Sequence, residues 1–488
     1  MALFDTDVWS GRIFTGDWTV SRGGHSPVVS PATGVELGRV GFADAEDVST
    51  AAATAARVHS DWAATPYSER AAVLRRAGEL LHEHSAEIAD WLSRESGAAA
   101  GMAGFQVRVA SAECQEAAAL ASQPHGEILR TEKPRLSFAR QVPAGVVGVI
   151  APFNVPLILG IRSVAPALAL GNSVLLKPDP RTAVCGGAVL AEVFRRAGVP
   201  EGVFQVLPGG ADAGARLVTD PNVRIISFTG STEAGRKVGE LAGRHLKRAH
   251  LELGGNSPLV VLDDVDIDAA VANGAWGSFL HQGQICMTSG RHLVHERIVE
   301  DYVEALAAKA DALPVGDPSD TTTGAALGPI IDTGQRDRIH AMVTGSVQAG
   351  ARLAAGGTYE DLFYRPTVLA ENGTDSPAYA QEVFGPVAPV LSFSSLDELA
   401  DLAASGPYGL SLGVLTRNPM RGLELADRIP SGIVHINDQT VDDEAVAPFG
   451  GLGASGTGSR LGGTRANLDA FTETQWVTMQ AEPASHPF

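Results

Sequence analysis

Apolar and polar positions along the chain follow two patterns, one typical of buried strands and one typical of helices. Short continuous apolar runs predict strands buried on both faces, at residues 146–150, 173–176, 204–207, 224–228, 259–262, 292–294, 387–391, 412–415 and 432–436. Longer stretches repeat apolar residues every three or four positions and predict helices, at 68–84, 183–197, 212–219, 266–282 and 297–312. This alternation indicates an α/β fold with parallel sheets.

The predicted elements form two series that meet near residue 252, so we expect two doubly wound, Rossmann-like α/β domains. The first would contain residues 1–125 and 143–251 and bind a cofactor, and the second, residues 252–455, would carry the catalytic group.

Two segments, 129–142 and 471–479, instead alternate polar and apolar residues as half-buried strands do. They predict a two-stranded β-ribbon within the units 126–142 and 465–488. Because such a ribbon is marginal alone, we expect it to pack on another copy of the chain in a homodimer or homotetramer.

Composition excludes several classes of function. The net charge of −19 opposes binding to nucleic acid or to an anionic membrane surface. No apolar run approaches the roughly 20 residues that span a bilayer, and the first residues carry acids where a signal peptide needs bases. Three scattered cysteines make no disulfide framework, and the histidines have no metal-ligand spacing. We therefore expect a cytoplasmic protein without a metal.

One cysteine differs from the other two in its surroundings. Cys286 lies in a polar, glycine-broken segment, whereas Cys114 and Cys185 lie in apolar surroundings that predict burial. A thiolate adds readily to a carbonyl carbon. Glu252 ends an apolar stretch at a Gly-Gly turn and supplies a carboxylate that could take a proton.

Three further segments carry polar groups at predicted strand ends. Asn154 lies in a stiff loop between two prolines, where its amide can donate to an oxyanion. Gly230 and Ser231 form a turn before a helix, whose first N–H groups can bind an anion. Lys177 leaves a strand at the edge where open α/β sheets bind ligands. Each segment alone fits an ordinary loop or helix cap.

Together and in this order, these segments resemble the NAD(P)-dependent aldehyde dehydrogenase superfamily over nearly the whole chain. The resemblance implies that Cys286 is the nucleophile, Glu252 the general base and Asn154 the side-chain donor of the oxyanion hole. It also implies a set of cofactor-binding residues: Phe153, Lys177, Pro180, Gly230, Ser231, Gly254, Glu382 and Phe384. The implied reaction is attack of the thiolate on an aldehyde, hydride transfer to NAD(P)⁺, and hydrolysis of the thioester by water that Glu252 activates.

The sequence departs from many NAD-preferring relatives at Pro180, where those proteins carry a glutamate. Because Pro180 carries no carboxylate, nothing at this position repels a 2′-phosphate, and the next residue is the cation Arg181. We therefore expect that either NAD or NADP can serve as cofactor.

Arg162, with the motif at 177–182, resembles the branch of benzaldehyde, vanillin and salicylaldehyde dehydrogenases. A guanidinium can stack on an aromatic ring or pair with its substituents, so we expect an aromatic aldehyde bound by Ile158, Arg162, Ile285 and Phe449. The alternative for Arg162 is a structural ion pair with an acid elsewhere.

Other functions stay open at this point. An aliphatic aldehyde or a semialdehyde could be the substrate of the same enzyme class. Cys286, Glu252 and Lys177 are also the residue types of a nitrilase-like thiol hydrolase. A binding protein on this fold, or an enzyme that passes the acyl group to coenzyme A, is disfavoured by the presence of both Cys286 and Glu252.

Overall fold

The computed structural model describes residues 3, 6–320 and 322–486, so the extreme ends of the predicted first unit and tail (1, 2, 4, 5, 487 and 488) lie outside the described residues. Its strands, in chain order, are β1 Arg12–Phe14, β2 Trp18–Val20, β3 His25–Val29, β4 Glu36–Gly41, β5 Gly126–Ile128, β6 Leu136–Pro143, β7 Val146–Ile150, β8 Ser173–Lys177, β9 Phe204–Val206, β10 Val223–Thr229, β11 Arg248–Glu252, β12 Ser257–Val261, β13 Ser289–His295, β14 Arg352–Ala355, β15 Tyr359–Glu360, β16 Phe363–Tyr364, β17 Thr367–Ala370, β18 Val387–Phe393, β19 Tyr408–Gly409, β20 Ser411–Leu415, β21 Ile433–Ile436, β22 Leu452–Gly453 and β23 Thr472–Met479.

The α-helices are α1 Thr6–Trp9, α2 Ala45–Ala64, α3 Tyr67–Glu83, α4 Ser85–Ser96, α5 Ala100–Leu120, α6 Pro156–Ala169, α7 Val189–Ala197, α8 Ala211–Thr219, α9 Thr232–Arg244, α10 Ile267–Phe279, α11 Val299–Ala312, α12 Thr333–Gln348, α13 Pro377–Ala380, α14 Leu396–Ala404, α15 Pro419–Ala426 and α16 Thr464–Phe471. Short 3₁₀ turns occupy Pro180–Thr182 and Leu280–Gly283, and a π-helical turn, Val184–Ala188, leads into α7.

Two seven-stranded sheets confirm the predicted doubly wound α/β fold. The first has the order β11-β10-β7-β8-β9-β1-β2, and its pairs from β11 to β9 are parallel. The second has the order β14-β17-β18-β13-β12-β20-β21, and only β14 runs antiparallel to its neighbour. The last strand of the first sheet ends at Glu252, and β12 of the second sheet begins at Ser257.

Helices cover both faces of each sheet, so that strands such as β8 and β12 are buried on both faces. One large core packs α3, α5, α6 and α7 against the first sheet, and a second core lies under α2, α8 and α9. The second sheet has its own apolar clusters, one of them between β12, β13, α10 and α11.

Two expectations about local structure were wrong. The predicted helix over 266–282 ends at Phe279, because His281 and Gln282 adopt positive φ angles of 51° and 57° and reverse the chain. The ribbon has three strands, in the order β23-β6-β5, and not two. Its third strand, Gly126–Ile128, is too short for alternation to identify, and residues 129–135 form a loop.

Candidate functional site

The site lies at the carboxyl edge of the first sheet, where the strand order reverses. The chain passes from β7 to β8 and β9 on one side and returns to β10 and β11 on the other. Loops leaving the two strands at such a reversal separate and leave a crevice for a ligand. Asn154 follows β7, Lys177 ends β8, Ser231 follows β10 and Glu252 ends β11. The sheet therefore brings four predicted residues to one edge.

The second sheet supplies the nucleophile. Cys286 lies in the loop between α10 and β13, and the residue as a whole is partly exposed. The turn after Glu252 packs directly on this loop, since a Cβ added to Gly255 would lie 2.5 Å from the backbone oxygen of Cys286. Only glycine permits this approach, which explains the Gly-Gly pair.

Hydrogen bonds join the nucleophile loop to the Asn154 loop. Asn154 Nδ2 donates to the backbone oxygen of Gln284 at 2.8 Å. His281 Nε2 donates to the backbone oxygen of Asn154 at 2.6 Å. The Asn154 amide is therefore held beside the loop that carries Cys286, with one Nδ2 hydrogen left for another acceptor.

Burial shifts both reactive groups towards their protonated forms. Burial raises the pKa of the Cys286 thiol to about 12, with further contributions from the nearby carboxylates of Glu382, Glu252 and Asp443. Burial also raises the pKa of Glu252 well above its ordinary value. The Glu252 side chain is only 4% exposed, and neither carboxylate oxygen has a hydrogen-bond partner among the described residues. In its ionised form, a carboxylate left free in this way takes up a proton readily, so it is suited to accept one from a thiol or from water.

Lys177 and Ser231 fit the adenosine and phosphate parts of a dinucleotide. Lys177 is nearly buried, and its ammonium makes a long hydrogen bond of 3.5 Å to the backbone oxygen of Pro178. Burial accordingly lowers its pKa, and hydroxyl groups of a ribose would complete its hydrogen bonding. Ser231 caps α9 by accepting from the Ala234 N–H, and Gly230 before it keeps the turn narrow. The N–H groups at the start of α9 suit a pyrophosphate.

A second group of residues predicted to bind the cofactor is joined by close contacts: Glu382 with Gly254, and Phe384 with Phe153. Glu382 accepts from the Gly255 N–H at 3.0 Å, and a Cβ on Gly254 would lie 2.2 Å from its carboxylate. Burial raises the pKa of Glu382 to about 7. The Phe153 and Phe384 rings meet edge to face at 5.9 Å. These groups fit the ribose and ring of a nicotinamide.

Arg181, beside Pro180, is not a free cation. Its guanidinium forms ion pairs with Asp179 at 2.9 Å and Asp332 at 2.6 Å, and it lies 4.2 Å from the centre of the Phe153 ring. These two carboxylates offset the positive charge that Arg181 would offer to a 2′-phosphate, whereas the absence of a carboxylate at Pro180 is unchanged.

Arg162 is buried between two acids. It forms ion pairs with Glu113, at 3.0 Å, and with Asp443. Its guanidinium also lies 4.9 Å from the centre of the Phe449 ring, while Nη1 is buried without a hydrogen-bond partner among the described residues. The structural ion pair, which was the alternative role for Arg162, is thus present. Of the guanidinium nitrogens, Nη1 has no hydrogen-bond partner among the described residues and could donate to a ligand.

The other predicted substrate residues are divided. Ile285 and Phe449 belong to one apolar cluster with Met287 and Leu410, and Cys286 packs against it. Ile158 is only 1% exposed and lies in the large core of the first sheet. Its neighbour Leu159 is partly exposed and is better placed to meet a ligand.

Sequence reasoning missed four residues of the site. His281 and Gln284 carry the loop contacts, and Glu113 and Asp443 hold Arg162. His281 and Gln284 lie in the motif around Cys286, which was the available signal. Nothing local pairs Glu113 with Arg162.

Over residues 3, 6–320 and 322–486, no group of His, Cys, Asp and Glu could hold a metal ion. Within the same ranges, no helix is both long and apolar enough to cross a membrane.

Known proteins resemble this chain over most of its length. The model of the aldehyde dehydrogenase family matches residues 18–477. A vanillin dehydrogenase of Amycolatopsis sp. is 66% identical over 100% of both chains. A benzaldehyde dehydrogenase [NAD(+)] of Pseudomonas putida is 48% identical over 99% of this chain and 98% of its own. The crystal structure of a salicylaldehyde dehydrogenase from Pseudomonas putida G7 with salicylaldehyde superposes with a TM-score of 0.94 at 34% identity, over 98% of this chain and 99% of its own.

The match over most of the chain excludes the nitrilase-like hydrolase and the non-catalytic protein. The chain belongs to the aldehyde dehydrogenase family and is an aldehyde oxidoreductase that uses a nicotinamide cofactor.

Proposed function

We propose that this enzyme oxidises aromatic aldehydes to carboxylic acids, with Cys286 as nucleophile, Glu252 as base and Asn154 as oxyanion donor. The observation that carries the proposal is that the Asn154 amide is fixed beside the Cys286 loop, while the buried Glu252 carboxylate near Cys286 has no hydrogen-bond partner among the described residues. The aromatic class is supported by relatives named vanillin and benzaldehyde dehydrogenase.

The residues perform the reaction in two stages. Glu252 takes the thiol proton and passes it to solvent, Cys286 Sγ bonds to the aldehyde carbon, and the free Nδ2 hydrogen of Asn154 stabilises the negative oxygen. Bound nicotinamide supplies a hydride acceptor, which the protein itself lacks. Glu252 then takes a proton from a water that attacks the thioester carbon, which releases the acid and the thiol.

For the cofactor, we propose that Lys177 and Pro180 border the adenosine ribose and that Gly230 and Ser231 bind the pyrophosphate. Gly254, Glu382, Phe384 and Phe153 would enclose the nicotinamide ribose and ring. This assigns the adenosine ribose and the pyrophosphate to the unit with the first sheet, whereas Glu382, Phe384 and the nucleophile belong to the unit with the second.

For the substrate, we propose a pocket formed by Arg162, Ile285 and Phe449. The unpartnered Nη1 of Arg162 would donate to a ring substituent, and the two apolar side chains would contact the ring. Ile158 would act from behind, through its packing in the core.

A panel of aldehydes tests the substrate class. Benzaldehyde, vanillin and salicylaldehyde should exceed aliphatic aldehydes and semialdehydes of similar size in kcat/KM by at least about tenfold, the value of a 1.4 kcal/mol difference in transition-state binding. The same panel on Arg162→Lys, which keeps the charge and loses the planar fork, should reduce the preference for hydroxylated rings. Faster turnover of the aliphatic series would reject the aromatic assignment.

The three-stranded ribbon supports self-association. One face carries apolar side chains from cross-strand neighbours, namely Ile128, Leu136, Phe138, Val477 and Met479. Ile128 is 82% and Met479 59% exposed in the single chain. We propose that this face packs on a second copy in a homodimer or homotetramer, and that the enzyme, with three free cysteines, works in the cytoplasm.

A further inference from the structure

The nucleophile loop contains two neighbouring non-glycine residues in the left-handed region of backbone space. His281 has a φ of 51° and Gln282 a φ of 57°. Such residues persist only where their surroundings fix them, and they concentrate at functional sites. Gln282 is fixed by its amide, which donates to the backbone oxygens of Gly97 and Pro329. What fixes His281 is a contact with the site itself.

The His281 imidazole is a permanent hydrogen-bond donor to the Asn154 backbone. The distance from Nε2 to the carbonyl oxygen is 2.6 Å, and a carbonyl only accepts, so Nε2 carries the proton. The side chain is 1% exposed, and burial lowers its pKa to about 4. The ring is therefore uncharged near neutral pH, with its proton on Nε2.

A second bond runs in the opposite direction. Asn154 Nδ2 donates to the Gln284 backbone oxygen, three residues after His281. Gln284 is itself held, because its Oε1 accepts from the Ile331 N–H at 3.1 Å. The two bonds close a ring that contains the oxyanion donor and the loop of the nucleophile, and this ring sets where the free Nδ2 hydrogen lies relative to Cys286.

We propose that His281 is a positioning residue that fixes the Asn154 amide in register with the Cys286 thiol. It touches neither substrate nor cofactor and acts on the reaction only through Asn154. The proposal rests on the role of Asn154 as oxyanion donor given above.

A double-mutant cycle tests this. His281→Asn tolerates the left-handed backbone but is too short to reach the Asn154 carbonyl, and it should lower kcat by roughly 10–100-fold, as small misplacements of catalytic groups do. The variant Asn154→Ala should lower kcat by about 10²–10³-fold. The double variant should lose no more than Asn154→Ala alone, because His281 then has nothing to position.

Two further measurements separate positioning from general damage. Alkylation of Cys286 by iodoacetamide needs no oxyanion donor and should proceed at the wild-type rate in His281→Asn, and binding of NAD⁺ should be unchanged. The single variant His281→Gln places an amide nitrogen near the Nε2 position, so it can keep the hydrogen bond to the Asn154 backbone oxygen. Its kcat should stay within about threefold of that of the wild-type enzyme.

His292 provides the matched control. It is also a buried neutral histidine with two hydrogen bonds, to Ser278 and Tyr302, but it lies on β13 away from Asn154. Any loss of kcat in His292→Asn should multiply with the loss in Asn154→Ala.

The outcomes are distinguishable. Multiplicative losses in the double variant, or a folded His281→Gln variant that loses more than about tenfold in kcat, would overturn the positioning role. If Asn154→Ala keeps full activity, the oxyanion assignment itself fails. Should His281→Asn not fold by circular dichroism, the His281→Gln result decides alone.

Discussion

At the scale of single residues, burial of the Glu252 carboxyl group lowers the folding stability of the enzyme near neutral pH and leaves a group that can transfer protons. Its folded pKa is raised by burial, so its contribution to stability is fully present below the ordinary pKa of a glutamate and is lost as pH rises through the folded value. Near neutral pH and above, the enzyme retains a buried carboxyl that an unfolded chain would ionise freely. Active sites commonly store such costs.

We therefore expect Glu252→Gln to lower turnover by about 10²–10⁴-fold and to raise the melting temperature more at pH 8 than at pH 5. Differential scanning calorimetry at both pH values measures the effect. Glu192→Gln is the control of opposite sign. Burial alone would raise the pKa of Glu192, but the ion pairs with Arg195 and Arg196 lower it on balance. The Glu192→Gln variant loses these ion pairs and should therefore be less stable at pH 8. A destabilised Glu252→Gln at pH 8 would contradict the argument.

The thiol makes a second prediction at this scale. Because burial and three carboxylates raise the pKa of Cys286 to about 12, alkylation of the cofactor-free enzyme by iodoacetamide should keep accelerating above pH 9. Glu382→Gln removes one of these charges and should speed the reaction at pH 8. In Cys286→Ala the label should be absent, since Cys114 and Cys185 are fully buried. A rate that levels off at or below pH 9 would show that the thiol is activated without cofactor.

At the scale of elements, the ribbon of β5, β6 and β23 carries an apolar face that the single chain leaves open. Two lysines placed on it should weaken self-association, because burying them in an interface costs more than exposing them. The double variant Ile128→Lys/Met479→Lys should shift the enzyme to a smaller species in light scattering coupled to size exclusion. Tyr67→Lys, at an equally exposed site on α3, should leave the mass unchanged. An unchanged mass in the double variant would place the interface elsewhere.

The loop elements around the site owe their shape to contacts rather than to propensity. The chain after α10 reverses at two non-glycine residues, which no propensity scale favours. The bonds from His281 to Asn154 and from Gln282 to Gly97 hold this reversal. A helix pattern in the sequence could therefore not show where α10 ends.

At the scale of the whole molecule, Arg181 joins the two halves of the chain. Arg181 follows β8 of the first sheet and forms an ion pair with Asp332. Asp332 is the N-cap of α12, and this helix contacts β17 of the second sheet. Since Asp179 and Asp332 already neutralise Arg181, we expect Arg181→Gln to change KM for NAD and NADP by the same factor. Initial rates with each cofactor measure this. A loss confined to NADP would show that Arg181 binds the 2′-phosphate.

The sequence by itself determined the α/β class and the family, and it predicts a change of series near residue 252 and the roles proposed for Cys286, Glu252 and Asn154. These follow from short-range patterns and from motifs whose residue types are dictated by the reaction. Only the tertiary structure decided which groups meet across long separations. It added the third ribbon strand, paired Arg181 with Asp332, enclosed Arg162 between Glu113 and Asp443, and tied His281 to Asn154. Such pairings have no local signature, because they depend on where the fold brings distant segments together.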